Sequence, residues 1–234
     1  MSDYLQYLEG IYGEKSFQRK LGYIEHNFRR LFSPGQRVLE IGPGFGEFLT
    51  FCNRVGITDI DIIDRDAGVA RHVAEKYNVR HLWIAEAEDL APIRGELRRY
   101  DRIFLMQIME HVRKSALIPL LRTLYAQLNA GGALIITVPN GGTPLGLVER
   151  YSDITHENVF SELSLRQLAS MAELPHARVE VRGFCIPPSD LLNIVRIGVQ
   201  KLLHTAVKLV MIANGGVYFQ IYHPNITLIV HREA

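Results

Sequence analysis

Charge of either sign is not in excess in this sequence. Lys and Arg number 26 against 25 Asp and Glu, a formal net charge of +1. A general nucleic-acid binder carries a marked basic surplus, so that class is disfavoured. Cysteine is nearly missing, and Cys52 and Cys185 show no paired spacing. A disulfide framework and a cysteine-based zinc site are therefore not expected, and a reducing cytoplasm fits best. Long apolar runs are missing too: no uncharged apolar run reaches the ~18 residues of a membrane span. The first ten residues hold Asp3 and Glu9 and no apolar segment of the kind a secretory leader needs. Neither repeats nor linker-like composition divides the 234 residues, so one domain over 1–234 is expected. What is plentiful is apolar: 47% of the chain, enough for a full core.

Short β-branched runs alternate with helical patterns, which predicts a parallel sheet with helices on both faces. Phe17, Leu21, Ile24, Phe28 and Leu31 recur at helical spacing behind Ser16, a candidate N-cap. Strands are predicted at Arg37–Ile41, Ile60–Ile63, Arg80–Ile84, Arg102–Met106, Ala133–Val138, around Val179 and Val181, and at Ile226–Val230. Helices are predicted over Ala67–Tyr77 and along Leu117, Leu120, Leu121, Leu124 and Leu128, the latter closed by Gly131-Gly132. Pro139–Phe160 reads as a long loop, and Ser164–Gln167 as a capping box opening another helix.

The stretch that carries chemistry is Val38-Leu39-Glu40-Ile41-Gly42-Pro43-Gly44-Phe45-Gly46, between a buried strand and a helix. Glycines there let the backbone turn sharply and approach a ligand closely. In a dinucleotide fingerprint the third small residue falls five positions after the first, which is Glu47 here. A carboxylate at a pyrophosphate position is unfavourable, so the turn suits a ligand without phosphates. A glycine turn alone could be structural, but Asp64 ends the next strand, where an acid can accept both ribose hydroxyls. Asp66 is the better N-cap for the following helix, which leaves Asp64 for a ligand. Polar groups also follow the third and fourth strands, at Glu86 and at Gln107-Ile108-Met109-Glu110-His111.

These motifs resemble those of the class I S-adenosylmethionine-dependent methyltransferase family over roughly Arg37–Phe184. Val38–Gly46 is similar to its first motif and Asp64 to its ribose acid. Glu86-Ala87 matches the position beside adenine, and Tyr100-Asp101 with Glu110-His111 resembles the fourth-strand motif. Leu128–Gly132 and Val138-Pro139-Asn140 fit as well. The resemblance implies an α/β fold with a Rossmann-like seven-stranded, mostly parallel sheet. To it the chain's own patterning adds an N-terminal helical cap over 1–36 and a helical insertion over 187–215 between strands six and seven, where many relatives have only a short hairpin. It implies S-adenosyl-L-methionine as cofactor, S-adenosyl-L-homocysteine as product, and Glu40, Gly42, Gly44, Gly46, Asp64, Arg65, Glu86, Ala87 and Gln107 as cofactor-binding residues. Asp153–Glu157 with Phe160-Ser161 resembles a segment of small-molecule and glycan O-methyltransferases, including those of bacterial surface polysaccharides and the ubiquinone-type enzymes.

Methyl transfer to a hydroxyl needs the acceptor positioned and its proton removed. His156, with Asp153 or Glu157 to orient it, and His111 are the candidate bases. The alternatives are a surface-loop histidine for His156 and a residue that only packs against cofactor for His111. No Asn/Asp-Pro-Pro-aromatic run follows the fourth strand, which argues against acceptors that are base amino groups. No metal site of the catechol type stands out. An O-methyltransferase of a sugar or lipid-linked saccharide in polysaccharide biosynthesis is expected. The alternatives are a quinone or aromatic-ring methyltransferase and a non-catalytic, cofactor-binding partner subunit. Tyr4, Tyr7 and Tyr12 could close over the site or simply pack. In 188–214, Asn193, Arg196, Gln200, His204 and Lys208 share one helix face amid apolar residues. A site cover or homodimer contact is the expected role there, ahead of peripheral membrane contact by a cytoplasmic protein.

Overall fold

The computed structural model describes residues 13–216 and 219–233. Tyr4, Tyr7 and Tyr12, with the rest of the expected N-terminal cap before residue 13, lie outside the described residues. Seven strands form one sheet: β1 (Arg37–Ile41), β2 (Asp59–Asp64), β3 (His81–Ile84), β4 (Tyr100–Met106), β5 (Leu128–Pro139), β6 (Ala177–Gly183) and β7 (Asn225–Arg232). Their order is β3-β2-β1-β4-β5-β7-β6. The pairs from β3 to β5 are parallel, and β7 runs antiparallel to both β5 and β6.

Strand periodicity sends alternate side chains to opposite faces, which accounts for two separate cores. Val38, Ile60, Ile62, Phe104 and Ile135 face α1 (Glu14–Phe28), α2 (Glu47–Val55) and α3 (Ala67–Lys76). Leu39, Ile41, Ile63, Leu105 and Ile136 face α4 (Leu117–Ala126) and α6 (Glu162–Met171), with the short α5 (Leu147–Tyr151) in the loop before α6. The first core is unusually aromatic. The Phe48 and Phe104 rings stack at 3.9 Å, and Phe32 meets Phe48 and Phe51 edge-on.

Several boundaries differ from the sequence expectation for local reasons. α1 is capped by Gly13 rather than Ser16, because the Gly13 carbonyl already takes the Ser16 N–H. The capping box lies three residues earlier than expected. Ser161 is the N-cap and accepts from the Ser164 N–H at 3.2 Å, while Ser164 Oγ accepts from the Ser161 N–H at 2.8 Å. A serine hydroxyl here fills the role that Gln167 was expected to fill. β5 starts before Gly131-Gly132 rather than after it, since Tyr100 of β4 pairs with Leu128 across a register shift.

The insertion between β6 and β7 is a 23-residue helix, α7 (Leu191–Ala213), capped by Asp190 on the Asn193 N–H. No α7 side chain is buried. Asn193, Ile197, Gln200, His204, Val207 and Met211 are its half-buried positions, a stripe at steps of four and three. The apolar arc points away from the body: Leu191, Leu202 and Val210 are 77%, 74% and 66% exposed. The expectation that this arc covers the site within the chain is therefore not met; the helix rests on its more polar side.

Candidate active site

The parallel strands β1 to β5 end at one edge of the sheet, and the expected cofactor residues gather there. Gly42, Gly44 and Gly46 all hold positive φ, at 74°, 53° and 86°. A Cβ on Gly46 would come within 2.2 Å of the Tyr77 ring, whose hydroxyl is tied to Thr50 Oγ1 at 2.7 Å. A Cβ on Gly44 would meet only Glu47 Oε2, at 3.8 Å. The turn is thus closed on the protein side at Gly46 and open at Gly44, where a ligand can approach the backbone.

Beneath the turn lie two carboxylates. Glu40 is 4% exposed, and burial, reinforced by the Glu47 charge, raises its pKa well above the ordinary range. Among the described residues Glu40 Oε2 has no hydrogen-bond partner. Glu47 is 1% exposed and ion-paired with Lys20 Nζ at 3.4 Å. Its side chain is tucked under the loop and does not project into ligand space, where the sequence spacing put a carboxylate.

Asp64 closes β2. Its Oδ1 takes the Asp66 N–H at 2.7 Å, while Asp66 caps α3 through the Gly68 and Val69 N–H groups, as expected. Burial pushes the Asp64 carboxyl up to about 6; the nearby negative charges of Asp66 and Glu86 add to this, and the Asp66 N–H opposes it. Glu86 is exposed and Ala87 half-buried, just beyond β3. Gln107 follows β4 in a left-handed conformation at φ 59°, and its Nε2 donates to Asn225 Oδ1 of β7 at 2.9 Å. Held in this way, Gln107 braces the edge between β4 and β7. Strain of that kind in a non-glycine residue is typical of functional turns.

The sequence places Glu110, His111, Asp153 and His156 on two separate segments, and the structure brings them together. The His111 and His156 rings lie 4.7 Å apart, edge to face. The Glu110 carbonyl accepts the Glu157 and Asn158 N–H groups at 2.9 and 3.0 Å, which fastens the loop to the turn after β4; Asn158 Nδ2 also donates to the Val112 carbonyl. His156 Nδ1 pairs with the Arg150 carbonyl at 3.1 Å. Asp153 meets His156 only through the backbone, its carbonyl accepting the His156 N–H at 3.4 Å; its carboxylate does not reach the imidazole. Its Oδ1 accepts from both the N–H and the hydroxyl of Thr155, and Thr155 Oγ1 contacts His111 Nδ1 at 2.9 Å. Asp153 thus acts on His111 through Thr155, a link that spacing does not reveal. Burial, then the neighbouring His156, lowers the His111 pKa. Glu110 is 1% exposed, and burial pushes its carboxyl up to about 8. The Arg65 charge is felt at both Asp64 and His111, so Asp64 and the histidine pair share one neighbourhood. Glu110 belongs to the recognised fourth-strand motif, but nothing in the sequence marks its side chain as buried.

A buried carboxylate without a donor, an open glycine backbone and an acid at the end of β2 fit a cationic, phosphate-free nucleoside such as S-adenosylmethionine. The sequence matches the family model for a methyltransferase domain over residues 15–174. No curated protein matches it. Among solved structures, an S-adenosylmethionine-dependent methyltransferase from Archaeoglobus fulgidus is similar at a TM-score of 0.66 and 20% identity, over 98% of this chain and 100% of that one. One from Thermotoga maritima gives a TM-score of 0.56 at 17% identity, over 93% and 89%. A plantazolicin methyltransferase in complex with S-adenosylhomocysteine gives 0.59 at 14% identity, over 94% and 86%. The methyltransferase-domain match, with the sheet order and the glycine edge, establishes that the chain belongs to the class I S-adenosylmethionine-dependent methyltransferases.

Proposed function

We propose that this methyltransferase acts on a hydroxyl oxygen of a small acceptor, a sugar or lipid-linked saccharide, with the Glu110–His111–His156 cluster as the place where the hydroxyl is ionised. The cofactor supplies a methyl group already activated on a sulfonium, so the chain has to hold both partners and dispose of one proton. Asp64 accepts the ribose hydroxyls, Glu86 and Ala87 flank the base, and Glu40 balances positive charge beneath Gly42–Gly46. Gln107 and Arg65 line the approach from β4 and β2. The observation that carries the reading is the contact between His111 and His156, each with its Nδ1 already engaged. Nε2 is then the atom that can face an acceptor, and in the bare cluster His156 Nε2 takes the proton.

A lipid-linked acceptor is supported by α7. It joins β6 to β7 at the cofactor edge and touches that edge through His204, whose ring lies 5.1 Å from His223. Its exposed arc is apolar, and the helix carries Arg196, Lys201 and Lys208 with no Asp or Glu from 191 to 213. No helix among the described residues is long and apolar enough to cross a membrane. A helix with a broad apolar face and only basic charges fits the surface of an anionic bilayer better than a second copy of itself, which would bring like charges together.

The direct test is turnover across hydroxylated acceptors, read as S-adenosylhomocysteine release. His156→Ala is expected to lower kcat by ~10²–10⁴ while cofactor binding survives. Full activity in that variant removes His156 from the reaction, and turnover confined to amines overturns O-methylation.

A further inference from the structure

We infer that Glu110, His111 and His156 form a binding site for a divalent first-row transition cation beside the cofactor edge. One ligand atom from each residue falls within 4.8 Å of the others. The hydrogen bonds around the histidines fix which atoms remain. Thr155 Oγ1 donates its proton to Asp153, so toward His111 it can only accept; His111 Nδ1 must carry the hydrogen. The Arg150 carbonyl likewise only accepts, so His156 Nδ1 carries a hydrogen too. Neutral imidazoles held in this way each keep a lone pair on Nε2.

The third member is the decisive one. Glu110 is 1% exposed; only its own backbone N–H lies near enough to favour the ionised carboxylate, and no other described residue donates to either oxygen. A buried carboxylate without donors is costly to keep. Two imidazole lone pairs and a carboxylate converge with no donor among them, and a cation is the partner such a set lacks. The outer bonds match the pattern seen around ligating histidines, whose other ring nitrogen donates to a carbonyl or is linked to a carboxylate. Asp153 through Thr155 supplies the second arrangement, and the Arg150 carbonyl the first.

Two imidazole nitrogens and one carboxylate oxygen suit zinc, iron, manganese or nickel better than magnesium or calcium, which favour all-oxygen sets. Three protein ligands also leave coordination positions open. An open position would accept the acceptor hydroxyl and ease loss of its proton to water, after which the oxygen can take the methyl group while the carbon–sulfur electron pair stays on sulfur. This inference rests on the proposed position of the acceptor hydroxyl but can fail independently of it.

The test uses full-length protein treated with chelator and desalted, then titrated calorimetrically with Zn²⁺ and with Mn²⁺. Binding of one ion per chain is expected for at least one of them, with a higher melting temperature. Glu110→Gln and His156→Ala should each weaken that binding at least tenfold while S-adenosylhomocysteine still binds. Asp153→Asn, which touches no ligand atom, should weaken it less. Absence of one-to-one binding, or binding unchanged in both ligand variants, overturns the site. If the stripped protein also methylates a hydroxyl at full rate, the histidines act as a simple base and O-methylation stands. If the metal binds but no hydroxyl acceptor turns over, the site stands and the proposed acceptor chemistry fails.

Discussion

At the scale of single residues, the cofactor edge is held in a state that a ligand relieves. Asp64 is half-buried with a carboxyl raised to about 6, chiefly by burial. A carboxyl raised above its unfolded value contributes stability that is fully present below that unfolded value and is lost as pH rises through about 6. Above pH 6 the group is ionised in the folded chain, and the free protein bears that penalty while ribose hydroxyls can bond to it. Cofactor affinity is therefore expected to fall as pH drops below about 6. Asp64→Ala is expected to weaken S-adenosylhomocysteine binding by ~1–3 kcal/mol and to flatten this pH dependence. Calorimetry from pH 5 to 8 on both proteins measures it; equal affinities for the two would remove Asp64 from the ribose site. The glycine motif and Asp64 were readable as sequence because their chemistry is local, set by backbone freedom and by spacing along a strand–turn–helix. Thr155 was not readable. Its role depends on a loop folding back so that a threonine beside Asp153 meets a histidine 44 residues away.

At the scale of elements, periodicity predicted every strand and helix that packs against the sheet, because burial on one face leaves a repeat in the chain. It failed at ends. Ser16 and Ser164 both look like caps, yet Gly13 and Ser161 cap the helices, because a helix starts where the incoming chain has extended geometry. For α7 the sequence showed a broad apolar arc but not its direction. The structure turns that arc outward over ten large apolar residues that are each 46–77% exposed, from Leu191 to Ile212. The expected consequence is binding to phosphatidylserine vesicles at low salt, weakening as salt rises. The triple variant Arg196→Glu, Lys201→Glu, Lys208→Glu should lose most of it, since each basic group near such a surface contributes about 1 kcal/mol. Flotation gradients read the result. A protein that stays out of the lipid fraction at low salt and runs as a stable dimer would assign the arc to a second copy instead.

At the scale of the whole molecule, a buried polar knot locks the edge of the sheet opposite the cofactor. Asp61 on β2 is fully buried; its Oδ2 accepts from Arg98 Nε and the Tyr100 hydroxyl, and its Oδ1 from Arg98 Nη2, at 2.8 Å each, while His81 Nδ1 lies 2.9 Å from Oδ1. Arg98 also reaches Asp59 at 2.6 Å, so one guanidinium spans two carboxylates of one strand. Without Asp61 the guanidinium keeps Asp59, but the buried Tyr100 hydroxyl loses its acceptor. Asp61→Ala is thus expected to destabilise the fold by ~1–3 kcal/mol, with S-adenosylhomocysteine affinity unchanged wherever the variant is folded. Urea unfolding measures the first and calorimetry the second; a loss below ~1 kcal/mol would mean that the knot is solvated and weak.

The sequence by itself determined the fold class and the cofactor, and it put the motif residues Gly42, Gly44, Gly46, Asp64 and Gln107 at or just after the ends of parallel strands. Those features follow from periodicity and from motifs confined to a strand and the turn after it, where neighbours in sequence are neighbours in space. Only the tertiary structure decided that Glu110 is buried with no donor from another described residue, that His111 and His156 touch, that Asp153 reaches His111 through Thr155, and that α7 shows its apolar side to solvent. Each of these depends on how two distant segments are oriented against each other, and side-chain direction is set by packing between elements, which no local pattern encodes.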